Sequence, residues 1–259
     1  MENNKIYRAS EIIWNAIKNE KRIECLTKEI APTSRNDAYQ IQKNYKVFTD
    51  YEHIGYKIAA TSIAGQKHIN VSSPIAGMLF KTNLFYDKES IKFSKYKMGV
   101  AEPEFVFKLS KDVTQKVYNN NYLFTLIDEL YTAIELPDTR FEDFENIGEF
   151  QLISDNSCAK YMFLGKAINT NIKDVNFENI KVTISTNKYK NKGNSSNALG
   201  SPLKALNWLI NEAIEYKLPL KKGMLITTGT CTIPIKFKKK DTVIANFEGL
   251  SKIIANLNI

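Results

Sequence analysis

Glu102-Pro103-Glu104, with Glu135 further along, is the grouping in this 259-residue chain best suited to chemistry. Residues i and i+2 of a strand point to the same face. Two carboxylates side by side on that face repel each other, and a hard divalent cation between them removes the repulsion. Mg²⁺ takes oxygen ligands in octahedral geometry, usually a few carboxylates completed by waters and substrate oxygens. Glu-x-Glu followed by Ala133-Ile134-Glu135 therefore reads as a three-carboxylate metal site with open positions. The same spacing also fits an ordinary strand with one wet face, and the neighbouring residues decide between the two.

Those carboxylates need strands to carry them. The first fifty residues read as helical: Ile6, Ala9, Ile12, Ile13, Ala16 and Ile17 form one apolar stripe. After a break at Ala31-Pro32-Thr33, Ser34 and Asp37 fit a capping box before Ala38, Ile41, Tyr45 and Phe48. From His53 the pattern shifts to short strands: 53–60, 75–80, 100–109, 131–136, 159–164 and 180–186, then 224–228 and 242–247 near the end. One strong helix interrupts them near 202–216. Ser201 caps it, Pro202 suits its first turn, and Leu206, Leu209, Ile210 and Ala213 line one face. Asn187 to Asn197, rich in Asn, Lys, Gly and Ser, reads as a mobile surface loop. The organisation expected is α+β, with a helical N-terminal portion (1–52) on a mostly β catalytic domain (53–259). Strands and helices do not alternate regularly, which excludes a doubly wound parallel sheet.

Composition narrows the function classes. Hydrophobic residues make up 43% and charged residues 25% of the chain, the proportions of a globular protein. No apolar run approaches a membrane span, and the first residues carry no apolar signal core. The expected location is the cytoplasm, with no membrane partner. Cys25, Cys158 and Cys231 are scattered and odd in number, which suits a reducing compartment and argues against a disulfide frame or a zinc site. His53 and His68 are too few for a histidine metal site, and each reads as a surface residue. The net charge of +8 invites a nucleic-acid reading. However, Arg occurs only at Arg8, Arg22, Arg35 and Arg140, and the lysines are dispersed rather than gathered on one helix. No nucleic-acid partner is expected.

The carboxylate segments belong to an ordered set. Asp37-Ala38-Tyr39-Gln40-Ile41-Gln42, Gly55-Tyr56-Lys57-Ile58 with Thr61-Ser62, Glu102-Pro103-Glu104, and Ala133-Ile134-Glu135 with Asp138-Thr139-Arg140 resemble the 2-keto-4-pentenoate hydratase family in order and spacing. So do Asp155-Asn156, Leu199-Gly200-Ser201-Pro202, Pro219 to Gly223, and Thr228-Gly229. That family includes 4-oxalocrotonate decarboxylases and sits within the fumarylacetoacetate hydrolase superfamily. The resemblance spans nearly the whole chain. It implies the superfamily's mixed β-sandwich roll, a homo-oligomer, and an enzyme using Mg²⁺ or Mn²⁺ on a short 2-oxo acid or its dienol, with Glu102, Glu104 and Glu135 as metal ligands. Some relatives pair with a partner enzyme of the same pathway. The implied reaction is hydration of a 2-hydroxy-2,4-dienoate through a metal-stabilised enolate. The alternatives are decarboxylation of a 4-oxalocrotonate-type acid, or a non-catalytic relative that keeps the fold.

Either reaction needs a proton donor or acceptor near the metal. Lys57 is the first choice: it lies in an apolar strand, where burial lowers a lysine's pKa, and it would otherwise anchor the substrate carboxylate. Asp155 is the next candidate. Asn156, Ser157, Thr228 and Thr230 are candidates for binding substrate. The chain departs from its relatives at Ser72-Ser73-Pro74, where Asp-Glu-Pro is frequent. Cys158, Lys160 and Tyr161 replace small residues, and Pro137 enters the third ligand's segment.

Overall fold

The hydrophobic period of the first helices does become a helical cover. The computed structural model, which describes residues 1–92, 96–117 and 119–257, places α1 over Asn3–Lys18 and α2 over Arg35–Lys43. Ala9, Ile13, Trp14 and Ala16 are the buried side of α1. Ser34 caps α2 by accepting from the Asp37 N–H at 3.1 Å. Asp37 does not return to the Ser34 N–H as a capping box would. It accepts instead from the Thr33 N–H and hydroxyl at 3.2 and 2.9 Å.

The larger sheet contains β1 (His53–Ala59), β2 (Ile75–Phe80), β3 (Leu84–Tyr86), β4 (Val100–Leu109), β5 (Ile127–Leu136), β6 (Tyr161–Leu164), β9 (Leu225–Thr230) and the short β10 (Ile235–Lys236). Its order is β2-β1-β9-β4-β5-β6-β3, with β10 also on β4. The β1–β9 and β3–β6 pairs are parallel and the others antiparallel, so the sheet is mixed. Its two edges, β2 and β3, are consecutive in the chain and joined by Lys81–Asn83. A link that short spans on the order of 10–15 Å, whereas flat edges of a seven-strand ribbon would stand roughly 29 Å apart. The sheet must therefore curl until its edges approach each other.

Alternation along the curled strands sorts their side chains. On β4, Glu102, Glu104 and Val106 share the inner face, and Phe105 and Phe107 face outward. Inside the roll, Leu79, Val106, Ala133, Met162, Leu164 and Leu225 pack together. Outside, Phe105 meets Phe247 and Phe177 edge-on, with ring centroids 5.1 and 5.7 Å apart. Phe247 belongs to the second sheet, of order β12-β11-β7-β8, built from β7 (Lys181–Ser185), β8 (Lys190–Asn194), β11 (Thr242–Phe247) and β12 (Ser251–Asn256). The helix α6 (Pro202–Glu215) packs on β9. Its Ser201 cap accepts from Leu203 N–H at 3.3 Å, with Pro202 in the first turn, as the sequence predicts.

Of three short helices, α3 (Ile63–His68), α4 (Asn120–Thr125) and α5 (Glu149–Ser154), the last two escape the sequence reading. At six residues each they show too little of the 3.6-residue period to register. The expected loop at Asn187 to Asn197 is another difference. Residues 190–194 form β8, paired in register with β7 from Lys181↔Asn194 to Ser185↔Lys190. This outer strand has no fully buried position, so it lacks the alternation by which strands are recognised. Among the described residues no helix is long and apolar enough to cross a membrane.

His53 is half-buried rather than on the surface. Its ring stands edge-on to Tyr56 at 4.7 Å, and Nε2 lies 2.8 Å from the Gly55 carbonyl. Burial lowers its pKa from 6.5 to about 4, with the Gly55 contact opposing part of that shift. Folded His53 therefore stays neutral where the unfolded chain takes up a proton. Its contribution to stability falls as pH drops from 6.5 toward 4. Denaturant titrations of wild type and His53→Phe, which keeps the ring contacts, should converge in stability as pH falls through that window. A difference that stays constant from pH 8 to 4 would remove this assignment.

Candidate metal centre

The register of β4 and β5 brings the three carboxylates together. Glu102 lies directly opposite Glu135, and Glu104 follows Glu102 on the same face. One carboxylate oxygen from each lies within 4.8 Å of the other two. Pro103 between them does not break the β5 ladder. Its carbonyl accepts from Cys231 N–H at 2.8 Å, so its missing donor faces the β9 side, where the register shifts.

Glu104 and Glu135 are buried, and Glu102 is partly so. Glu104 Oε2 accepts from the Gly229 N–H at 2.9 Å. Gly229 has φ +88, and a Cβ there would stand 2.2 Å from Thr61 Oγ1, so the chain passes close only because the residue is glycine. Glu104 Oε1 and both oxygens of Glu135 are buried without a hydrogen-bond partner. Leaving such groups unpaired costs about 1–3 kcal/mol each.

Lys57 reaches the same place from β1. Its ammonium donates to the Ser157 carbonyl at 3.1 Å. Its 3.0 Å contact with Glu135 Oε1 is an ion pair without hydrogen-bond alignment. Burial alone would lower its pKa, as the sequence suggested. The charges of Glu135, Glu102 and Glu104 outweigh burial, and the net shift is upward. Burial, then the charge of Glu135, pushes the Glu102 carboxyl up to about 7, against the pull of Lys57. Burial and its two neighbours also raise Glu104, and burial raises Glu135 against Lys57. Three carboxylates facing one ammonium leave two negative charges uncompensated when all are ionised. Hard oxygen donors, unpaired lone pairs and that charge suit a divalent cation.

The other candidates are placed differently. Asp155 is fully buried and occupied: Thr139 Oγ1 and the Arg140 N–H donate to Oδ2 at 2.7 and 2.9 Å, and Arg140 Nε donates to Oδ1. Its task is to hold Arg140, which in turn binds the carbonyls of Asp138, Ala159 and Asp155. Both oxygens of this carboxylate, expected to be a catalytic candidate, thus accept hydrogen bonds from its neighbours. Asn156 and Ser157 bond the backbone of β2 through their side chains. Thr228 donates to the Phe105 carbonyl at 3.2 Å and Thr230 to Thr232 at 3.0 Å. The four residues expected to bind substrate thus spend these side-chain bonds on the fold.

Asn156, Ser157 and Cys158 have φ of 53, 49 and 63, a left-handed run that costs roughly 1–2 kcal/mol per residue. Sequence reading sees only a polar turn there, because no glycine marks it. Burial pushes the Cys158 thiol up to about 12 and keeps it protonated. Lys160 lies over the Tyr96 ring at 4.2 Å and 3.4 Å from Asp138. Ser72 and Ser73 bond Glu149 and Arg35 at the junction of α2 and α5.

A curled mixed sheet gathers three carboxylates and a lysine on its inner face, an arrangement that could hold a metal ion. The sequence profile "Fumarylacetoacetate (FAA) hydrolase C-terminal" matches residues 39–258, and the chain belongs to that family. Similar proteins include the 2-keto-4-pentenoate hydratase of Burkholderia vietnamiensis, 26% identical over 83% of this chain and 82% of the relative. The 2-oxo-hept-4-ene-1,7-dioate hydratase of Escherichia coli is 25% identical over 92% of each chain. Among solved structures, 4-oxalocrotonate decarboxylase from Pseudomonas putida G7, complexed with magnesium and adipate, matches with a TM-score of 0.89. That match is 22% identical and covers 99% of this chain and 98% of the other. The expected α+β roll with a helical N-terminal portion is therefore this protein's fold.

Glu104→Gln keeps an acceptor for the Gly229 N–H and removes one of the repelling charges. Without metal it should melt no lower than wild type. Mn²⁺ at about one hundred times its wild-type Kd should stabilise the wild type by about 2.7 kcal/mol and the variant by less than half as much. Equal stabilisation in calorimetric melts would argue against the ligand assignment.

Proposed function

We propose that this chain is a divalent-metal-dependent hydro-lyase that adds water to a 2-hydroxy-2,4-dienoate, with Glu102, Glu104 and Glu135 holding Mg²⁺ or Mn²⁺. The observation that carries this is the set of buried carboxylate oxygens on Glu104 and Glu135 that accept no hydrogen bond, beside the ammonium of Lys57. The hydratases among its relatives, at about 26% identity, support the reaction class. When bound, the cation supplies a Lewis acid for the 2-oxo oxygen of the substrate.

The chain's own residues supply the rest. Hydration first moves the 2-hydroxyl proton to the terminal carbon, giving a 2-oxo-3-enoate. Water then adds its oxygen at the far alkene carbon and a proton at the near one. Lys57 is the mobile proton's station beside the carboxylates, because its ammonium is buried and directed by the Ser157 carbonyl. An ammonium there would alternatively pair with the substrate carboxylate. Val106, Ala133, Met162 and Leu225 pack together on the same inner face and give the site an apolar flank. The reading includes a homo-oligomer, a possible partner enzyme of the same pathway, and no nucleic-acid partner.

The test is absorbance decay of 2-hydroxypenta-2,4-dienoate and of 4-oxalocrotonate, with Mg²⁺ and after chelation. The dienoate should be consumed only with the metal. Turnover of 4-oxalocrotonate alone would make the chain a decarboxylase, and turnover of neither would make it a non-catalytic relative. Lys57→Met keeps the apolar stem. It should lower kcat about a hundredfold or more if Lys57 transfers the proton, and raise KM with little change in kcat if it anchors the carboxylate. Unchanged kcat and KM would exclude both roles.

A further inference from the structure

Lys57 stands directly across from Gly77 in the β1–β2 register. A Cβ on Gly77 would lie 2.1 Å from the carbonyl oxygen of Asn156, so the turn after α5 is seated where a side chain would otherwise be. That turn is the left-handed run of Asn156, Ser157 and Cys158. Such a run persists only where its surroundings over-determine it, and here they do. Asn156 Oδ1 accepts from the Met78 N–H at 2.6 Å, and its Nδ2 donates to the Met78 carbonyl at 2.9 Å. One side chain thus satisfies both backbone groups of an edge-strand residue, as a neighbouring strand would. Ser157 Oγ donates to the Ala76 carbonyl at 2.7 Å, pinning the next residue to the same edge. With its side chain turned to β2, Ser157 presents its carbonyl to Lys57 Nζ at 3.1 Å. The ammonium also lies 3.0 Å from Glu135 Oε1, as an ion pair.

We propose that this left-handed turn is the positioning element for Lys57, with the Asn156 side chain as its clamp and the Ser157 carbonyl as its pointer. The proposal rests on the reading of Lys57 as the group that acts on substrate. The ammonium sits among three carboxylates, and electrostatics alone would let it wander between them. A directed bond to a rigid carbonyl selects one orientation. Gly77 is the complement of this device, because only a residue without a side chain leaves room for the turn across from Lys57.

Asn156→Gly tests it. Glycine takes positive φ without strain, so the variant loses the clamp while easing the backbone. Three readouts apply: steady-state kinetics on the dienoate with Mg²⁺, calorimetric Mn²⁺ affinity of the metal-free protein, and the Lys57 ammonium resonance in ¹H–¹⁵N spectra of the Mg²⁺-loaded protein, identified by its absence in Lys57→Met. The expected result is a kcat about a hundredfold lower, with KM and Mn²⁺ affinity near wild type and the ammonium resonance shifted or broadened away. A merely structural role would move the melting temperature and leave the resonance in place. A folded Asn156→Gly with wild-type resonance overturns the proposal, whatever its kcat, and so does a wild-type kcat. Should that variant fail to fold, Asn156→Asp carries the same readouts, since it keeps the acceptor for Met78 N–H and loses the donor to the Met78 carbonyl. If the wild type turns over neither substrate, the functional reading fails, while the ammonium spectrum still decides the positioning.

Discussion

Mutual repulsion among three clustered carboxylates, two of them buried, is the constraint around which the roll is organised. Glu102, Glu104 and Glu135 are held on one face by a register that puts Glu102 against Glu135. Their single cationic neighbour, Lys57, balances only part of the charge. Such a cluster is tolerable only in a scaffold that cannot relax away from it. The curled sheet provides this rigidity, because its edges are tied through Lys81–Asn83 and Leu79, Val106, Met162 and Leu225 pack together inside it. An open, flexible sheet would splay and let the carboxylates reach water. All three carboxyl pKa values are raised, first by burial and, for Glu102 and Glu104, next by the charge of Glu135.

Around the cluster, the backbone supplies what side chains do not. Gly229 gives an N–H to Glu104 where Thr61 leaves no room for a Cβ. The buried pair of Arg140 and Asp155 braces the loop that follows the third ligand's strand. Breaking such a pair strands a charge in a dry place, typically at several kcal/mol. Asp155 therefore belongs to the frame around the site.

Much of this was readable in the amino-acid string, and the limits have physical causes. The strands at 100–109 and 131–136 carry strong apolar runs, and Glu-x-Glu with Glu135 placed the carboxylates on one face. The caps at Ser34 and Ser201 were equally plain, because a hydroxyl before an amphipathic run is a local signal. What depended on distant contacts was hidden. Lys57 looked like a lysine whose pKa burial would lower, and only the three-dimensional gathering of carboxylates reverses the sign. Asp155, Asn156 and Ser157 looked free for chemistry because nothing local reveals that Arg140 and the β2 edge consume their polar atoms. A polar strand such as β8, without a buried face, has no periodic signature to read.

Arg35 ties the helical cover to the rest. Its guanidinium bonds Glu212 of α6 at 3.0 Å, Glu149 of α5 at 2.8 Å, the Ser73 hydroxyl and the Pro74 carbonyl just before β2. Tyr39 of the same helix adds a bond to Glu212 at 2.9 Å and accepts from the Ala76 N–H at 3.2 Å. A protease cut in the turn before β1, followed by loss of the N-terminal fragment, would leave Glu149 and Glu212 without their cation and the start of β2 without its support. These bonds cross the point near His53 where the helical pattern gives way to strands. The cover and the roll should melt in a single cooperative transition.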